Sequence, residues 1–118
     1  MTTLAFVFNS LPHSTAKGRE GLDALLATSA FTEDIKVFFV GAGVNQLRQN
    51  QHSADVLSRD YISAFKLMEL YDIENVFVCE QSMLQYQLDS EQLVIGAQVV
   101  ETGEIAKQLS LCHKVLTF

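Results

Sequence analysis

The stretch Ile35-Lys36-Val37-Phe38-Phe39-Val40, closed by Gly41-Ala42-Gly43, decides how this chain folds. Five of its first six residues are apolar, and four of them run without a break. A strand with one wet face alternates apolar and polar residues, whereas a strand covered on both faces reads as a continuous apolar run. The run is too short for a helix, and the glycines stop it. Outward from it, Leu4 to Phe8 (L-A-F-V-F) and Val76 to Cys79 (V-F-V-C) have the same character. Leu93 to Val100, broken by Gly96, and Val115 to Phe118 predict a fourth and a fifth strand.

The segments between these runs read as helices. From Ala16 to Phe31, Leu22, Leu25, Leu26 and Ser29 recur at i, i+3, i+4 and i+7 and mark one buried stripe, with Ser14 or Thr15 as the cap. Gln81 to Leu88 is a short helical segment, and Gly103 to Cys112 carries Ile105, Leu109 and Cys112 on one face. Arg59 to Tyr71 is apolar on two faces. Tyr61, Ala64, Phe65, Met68 and Tyr71 form one stripe, and Ile62, Leu67 and Leu70 extend it. A helix apolar on two faces packs on two things. The sheet is one, and a partner chain is the candidate for the other, with Tyr61, Ile62, Phe65, Leu67 and Leu70 as interface residues. Val44 to Ser58 is polar, without periodicity, and is the longest irregular stretch, which makes it a candidate functional loop. Strands alternating with helices predict an α/β fold whose parallel sheet is covered on both faces. The expectation is one domain over residues 1–118.

Composition narrows the function. With 48% hydrophobic and 19% charged residues, the chain is not of disordered composition. Eight basic against 14 acidic residues give a net charge of −6. Direct binding to nucleic acid needs a basic stripe to neutralise phosphate, and none is present. No apolar run reaches the roughly 20 residues of a membrane span. Met1 to Ser10 lacks the basic start and small-residue cleavage site of a signal peptide. The expected location is therefore cytoplasmic, with Cys79 and Cys112 as free thiols.

In an open α/β sheet, chemistry gathers beyond the carboxyl ends of the strands. Three segments should converge there: Asn9 to Thr15, Gly41 to Gln46 and Cys79 to Ser82. Cys79 ends a strand and precedes a helix, a position where N–H groups favour a thiolate. Glu80 beside it would raise the thiol pKa. A buried small hydrophobe at the end of a core strand is the plain alternative. Cys112, on an apolar stripe, reads as a structural thiol. His13, Ser14, Thr15, Gly41 and Gly43 are the loop residues nearest such a site, although a histidine after Pro12 is often only solvated. His13, His52 and His113 are too scattered for a metal site, and no Cys-x-x-Cys occurs. Gly41-Ala42-Gly43 lacks the third glycine of a dinucleotide fingerprint, and no phosphate-cradling loop is present. No cofactor and no metal are expected.

Pro12-His13-Ser14-Thr15, then Gly18 to Ala30 (G-R-E-G-L-D-A-L-L-A-T-S-A), resembles the TusC/DsrF group of the DsrE/DsrF/DsrH family. Arg59-Asp60-Tyr61-Ile62, Phe65-Lys66-Leu67, Leu70 to Glu74, Val78-Cys79 and the end at Val115 to Phe118 are similar too, so the resemblance covers essentially the whole chain. It implies a three-layer α/β/α sandwich with a mainly parallel five-stranded sheet, flavodoxin-like in outline. It implies a subunit that assembles with TusB-like and TusD-like paralogues into a dimer of heterotrimers. That complex takes persulfide sulfur from a TusA-like carrier, passes it to a TusE-like carrier and supports 2-thiolation of tRNA wobble uridine. DsrF-like subunits serve dissimilatory sulfur oxidation instead. In the family the sulfur-carrying cysteine is attributed to the TusD/DsrE-type subunit, whose position Cys79 matches. The TusC/DsrF type is not credited with an essential thiol. The resemblance therefore implies a mainly structural role, with a persulfide-carrying Cys79 as the alternative.

Overall fold

The structure, a computed structural model, describes residues 3–9, 17–31, 34–47, 73, 75–89 and 97–118. Its strands are β1 (Leu4–Phe8), β2 (Ile35–Phe39), β3 (Val76–Cys79), β4 (Gln98–Val100) and β5 (Lys114–Thr117). Between them lie α1 (Lys17–Ser29), a 3-10 helix (Gly41–Leu47), α2 (Glu80–Gln85) and α3 (Thr102–Ser110). The sheet has the order β4-β3-β2-β1-β5, and every neighbouring pair is parallel. This is the α/β fold that the sequence predicts.

The order explains which helix covers which face. From β1 to β4 the chain steps in one direction, so right-handed connections place their helices on a single face. From β4 to β5 it returns across the whole sheet, and a right-handed connection then falls on the opposite face. The packing agrees. Leu22 and Leu25 of α1 and Met83 of α2 join Phe6, Phe8, Ile35, Val37, Phe39, Val76 and Val78 on the first face. Ile105 of α3 joins Ala5, Val7, Phe38, Phe77 and Cys79 on the second. The two sets alternate along β1, β2 and β3, as side chains of a strand must. The three central strands are buried, whereas β4 and β5 at the edges are largely exposed.

The last strand is tied into the first face by aromatic contacts. Phe118 stacks on Phe6 with ring centroids 6.3 Å apart. It also lies 5.9 Å from Phe8, which stacks on Phe39 at 5.0 Å. Gly21 lets α1 sit down on this group, since a Cβ there would fall 2.6 Å from Phe118 and 2.7 Å from Phe8.

Several boundaries differ from the sequence reading. The loop expected from Val44 begins as an ordered 3-10 helix, because Val44 and Leu47 are fully buried in the first-face core. The described part of the fourth strand is only Gln98–Val100, short as befits an exposed edge. The last strand starts one residue early, at Lys114, because Leu4 pairs with it. α3 starts at Thr102 and ends at Ser110, so Cys112 lies just beyond the helix and is half-buried. His13, Ser14 and Thr15 lie outside the described residues, as do Tyr61, Ile62, Phe65, Leu67 and Leu70 of the candidate interface.

Candidate functional site

Parallel strands deliver all their carboxyl ends to one edge of the sheet. There the chain leaves β1 at Asn9, β2 at Val40, β3 at Cys79 and β4 at Glu101. Gly43 brings two of these segments together. A Cβ on it would lie 1.9 Å from the Phe8 carbonyl oxygen, so only glycine lets the 3-10 helix pass so close to the end of β1. Gly41 takes φ of +53°, the left-handed region, and turns the chain out of β2. Its N–H donates to Ser82 Oγ at 2.8 Å, which joins the end of β2 to α2. The two glycines of the sequence reading thus have separate structural duties.

Cys79 is the N-cap of α2, with extended backbone (φ −72°, ψ 118°). Its neighbour in the sheet is Val100, the last residue of β4, so the helices after β3 and β4 begin side by side. The Cys79 side chain points to the second face and is 5% exposed. Its Sγ lies 3.4 Å from the hydroxyl of Thr102, the first residue of α3. That hydroxyl in turn donates to Gln81 Oε1 of α2. Ser82 is buried and its oxygen accepts from Gly41, which leaves its own hydrogen for the sulfur.

These groups decide the state of the thiol. Burial pushes it up, while the hydroxyls of Ser82 and Thr102 and the backbone N–H groups of Ser82 and Gln81 pull it down. The hydrogen-bonding groups prevail, and the balance falls below the ordinary thiol value of 9.0. Glu80, which the sequence reading expects to oppose a thiolate, is exposed at the start of α2, and the site settles in the other direction. Cys112 is different. Burial raises its thiol, and the charge of Lys36 offsets this only in part. Its Sγ donates to the Gln108 carbonyl at 3.4 Å. Both cysteines are free thiols.

Of the three segments expected to converge, the structure brings together Asn9, Gly41 to Val44 and Cys79 to Ser82. The sequence reading does not find Thr102. The only local signal is that it opens a helix directly after a strand, and its approach to Cys79 depends on β4 lying beside β3. Among the described residues, no helix is long and apolar enough to cross a membrane.

Fold and site together define an α/β protein with a hydrogen-bonded thiol at the carboxyl edge of a parallel sheet. The chain belongs to the DsrE/DsrF-like family, whose sequence profile matches residues 3–118. It is 51% identical over 118 residues to a protein from Aliivibrio fischeri called "Protein TusC homolog", with both chains covered in full. It is 47% identical over 119 residues to "Protein TusC" of Escherichia coli, again with all of each chain covered. The fold is also that of the ychN protein from E. coli, whose crystal structure superposes over all of both chains with a TM-score of 0.84 at 18% identity.

Proposed function

We propose that this chain is the TusC-like subunit of a TusBCD-type sulfur-relay complex in the cytoplasm, supporting 2-thiolation of tRNA wobble uridine. Its own part is mainly structural. The observation that carries this reading is the end-to-end identity of 47–51% with proteins named TusC, over their full lengths. The partners are TusB-like and TusD-like paralogues in a dimer of heterotrimers, with TusA-like and TusE-like carriers reached through the complex. The acidic net charge of −6 fits a chain that contacts protein partners and leaves RNA to others. The test is native mass spectrometry of the chain drawn from its own cell extract without reductant. Two similar-sized chains in equal amount are the expected companions, and a chain that comes out alone overturns the reading.

A specific observation favours a second reading, in which Cys79 itself carries sulfur. Its thiol is held below the ordinary range by four hydrogen-bonding groups. A thiolate attacks the terminal sulfur of a donor persulfide, forms the new S–S bond and releases the donor as a thiolate. Cys79→Ser should then abolish thiolation. Full thiolation with Cys79→Ser leaves the structural role alone standing.

A further inference from the structure

Three features of the described residues have no part in the structural role proposed above. Lys36 Nζ donates to Gln108 at 2.8 Å and Gln108 to Glu104 at 2.9 Å, but this is a satisfied polar strap between α3 and the sheet. Phe31, Leu84 and Leu111 are strongly exposed, but Phe31 lies just beyond α1, Leu84 on α2 and Leu111 just beyond α3. The third feature is the row Cys79, Thr102, Gln81, which bridges α2 and α3.

We propose that Thr102 is a positioning residue for Cys79, donating its hydroxyl hydrogen to the ionised sulfur, and that Gln81 makes this possible by reversing the direction of the row. A threonine hydroxyl has a single hydrogen. In the arrangement seen, that hydrogen goes to Gln81 Oε1, so Thr102 can only accept from the Cys79 S–H. Once the sulfur is ionised it can only accept, and the hydroxyl must turn towards it. Thr102 then needs a donor behind it. A glutamine amide offers one after a half-turn that exchanges its oxygen and nitrogen. Both states of the thiol are therefore fully hydrogen-bonded, and neither leaves an orphaned group beside a buried sulfur.

The placement of the row supports this. Cys79 is buried, while Thr102 and Gln81 are exposed, so the row runs from the sulfur out to solvent. Among the described residues, the charged groups on the elements packed around it are few. Glu80 and Glu101 are exposed, Glu104 is engaged by Gln108, Lys107 faces solvent and Lys36 is held by Gln108. Among the described residues, the hydroxyls of Thr102 and Ser82 and the α2 N–H groups are what favour its ionised form, against the burial that opposes it.

This deepens the second reading above by naming the group that keeps Cys79 ready to ionise. Its test reads the thiol itself, so an untuned thiol and a thiol that carries no sulfur are told apart. The full chain, purified with whatever chains accompany it, is alkylated with iodoacetamide across a pH series, and Cys79 and Cys112 are read separately by peptide mass. Thr102→Val keeps the shape and removes the hydroxyl, and Gln81→Met keeps the length and neutrality of the side chain and has no hydrogen to donate. Each should move the Cys79 midpoint up by roughly half to one pH unit, about a three- to tenfold slower reaction at neutral pH. Thr102→Ser should keep the parental midpoint, and Cys112 should be unmoved throughout. Circular dichroism checks each fold, and should Thr102→Val not fold, Gln81→Met and Thr102→Ser decide alone. A Cys79 midpoint unchanged in Gln81→Met, or raised as much by Thr102→Ser as by Gln81→Met, overturns the proposal.

Discussion

Cys79 and Cys112 are the same residue type at opposite ends of α3, and their surroundings drive their thiols in opposite directions. The consequence for stability can be worked out in sign. Cys79 has a folded-state pKa below the ordinary 9.0, so its contribution is absent at low pH, grows as pH rises through the folded value and is complete above about 9. Cys112 has a raised pKa, so its contribution is complete below about 9 and is lost as pH climbs through the higher folded value. Denaturant unfolding at about pH 7 and about pH 9.5 checks both signs. The destabilisation caused by Cys79→Ala should be larger at the higher pH, and that caused by Cys112→Ala should be smaller. A Cys79→Ala penalty that shrinks with pH would show that the native fold disfavours the thiolate. How far the site is legible in sequence follows from the same residues. Cys79 can be placed because the run Val76 to Cys79 ends where helix-forming residues begin, which is local information. Thr102 cannot, because it lies 23 positions away and meets the sulfur only through a strand order that no local pattern encodes. Glu80 misleads for a related reason: adjacency along the chain says nothing of direction once a helix starts between the two residues.

At the scale of elements, α2 shows how a six-residue helix is held. Its end is fastened by two backbone bonds, Gln87 N–H to Leu84 O at 3.2 Å and Leu88 N–H to Met83 O at 2.8 Å. With Tyr86 as the C-cap, these are the paired bonds of a Schellman motif, and its apolar contact is the buried pair Leu88 and Met83. The motif requires a left-handed residue after the cap, which is usually glycine, and here it is Gln87 at φ +53°. A Cβ in that conformation costs about 1 kcal/mol, partly offset by the greater freedom of glycine in the unfolded chain. Gln87→Gly should therefore stabilise the protein by about 0.5 kcal/mol in denaturant unfolding, whereas Gln87→Val should destabilise it, since branching at Cβ makes the left-handed region worse. Equal stability of the two variants would mean that the turn relaxes away from this geometry. The Schellman end also explains why the sequence reading runs the helix on to Leu88: Leu88 is buried like a helix residue but reaches the core from beyond the cap. Helix type and strand type are legible from periodicity and apolar runs. Ends are set by single dihedral angles and by partners distant in sequence, and these leave little trace in composition.

The whole molecule is closed by its last residues. β1 pairs with β2 on one side and with β5 on the other, and Leu4 aligns with Lys114 across almost the full length of the chain. Until β5 is in place, β1 is an open edge, and the Phe6 and Phe8 rings lack their contact with Phe118. Parallel pairing over so long a separation is slow to form, because the loop must close before any contact rewards it. The sheet order thus makes β5 the natural late step. Phe118 tests this without cutting the chain. Its ring fills the notch that Gly21 leaves in α1 and meets Phe6 and Phe8, while its N–H donates to Val7 O at 2.8 Å and its carbonyl accepts from Asn9 N–H at 2.9 Å. Phe118→Ala removes the ring and keeps the backbone bonds, so it should cost about 2–3 kcal/mol, somewhat less than a fully buried phenylalanine because the ring is half-buried. Stopped-flow unfolding should show most of that loss as faster unfolding, with refolding little changed, since contacts made after the transition state act on the unfolding rate. A loss carried mainly by slower refolding would place β5 in the nucleus instead. The alkylation midpoint of Cys79 should stay where it is in Phe118→Ala, because the ring packs on the first face and the sulfur on the second. Stability and thiol chemistry are then separable in this fold: the aromatic face under α1 sets the first, and the hydroxyls between α2 and α3 set the second.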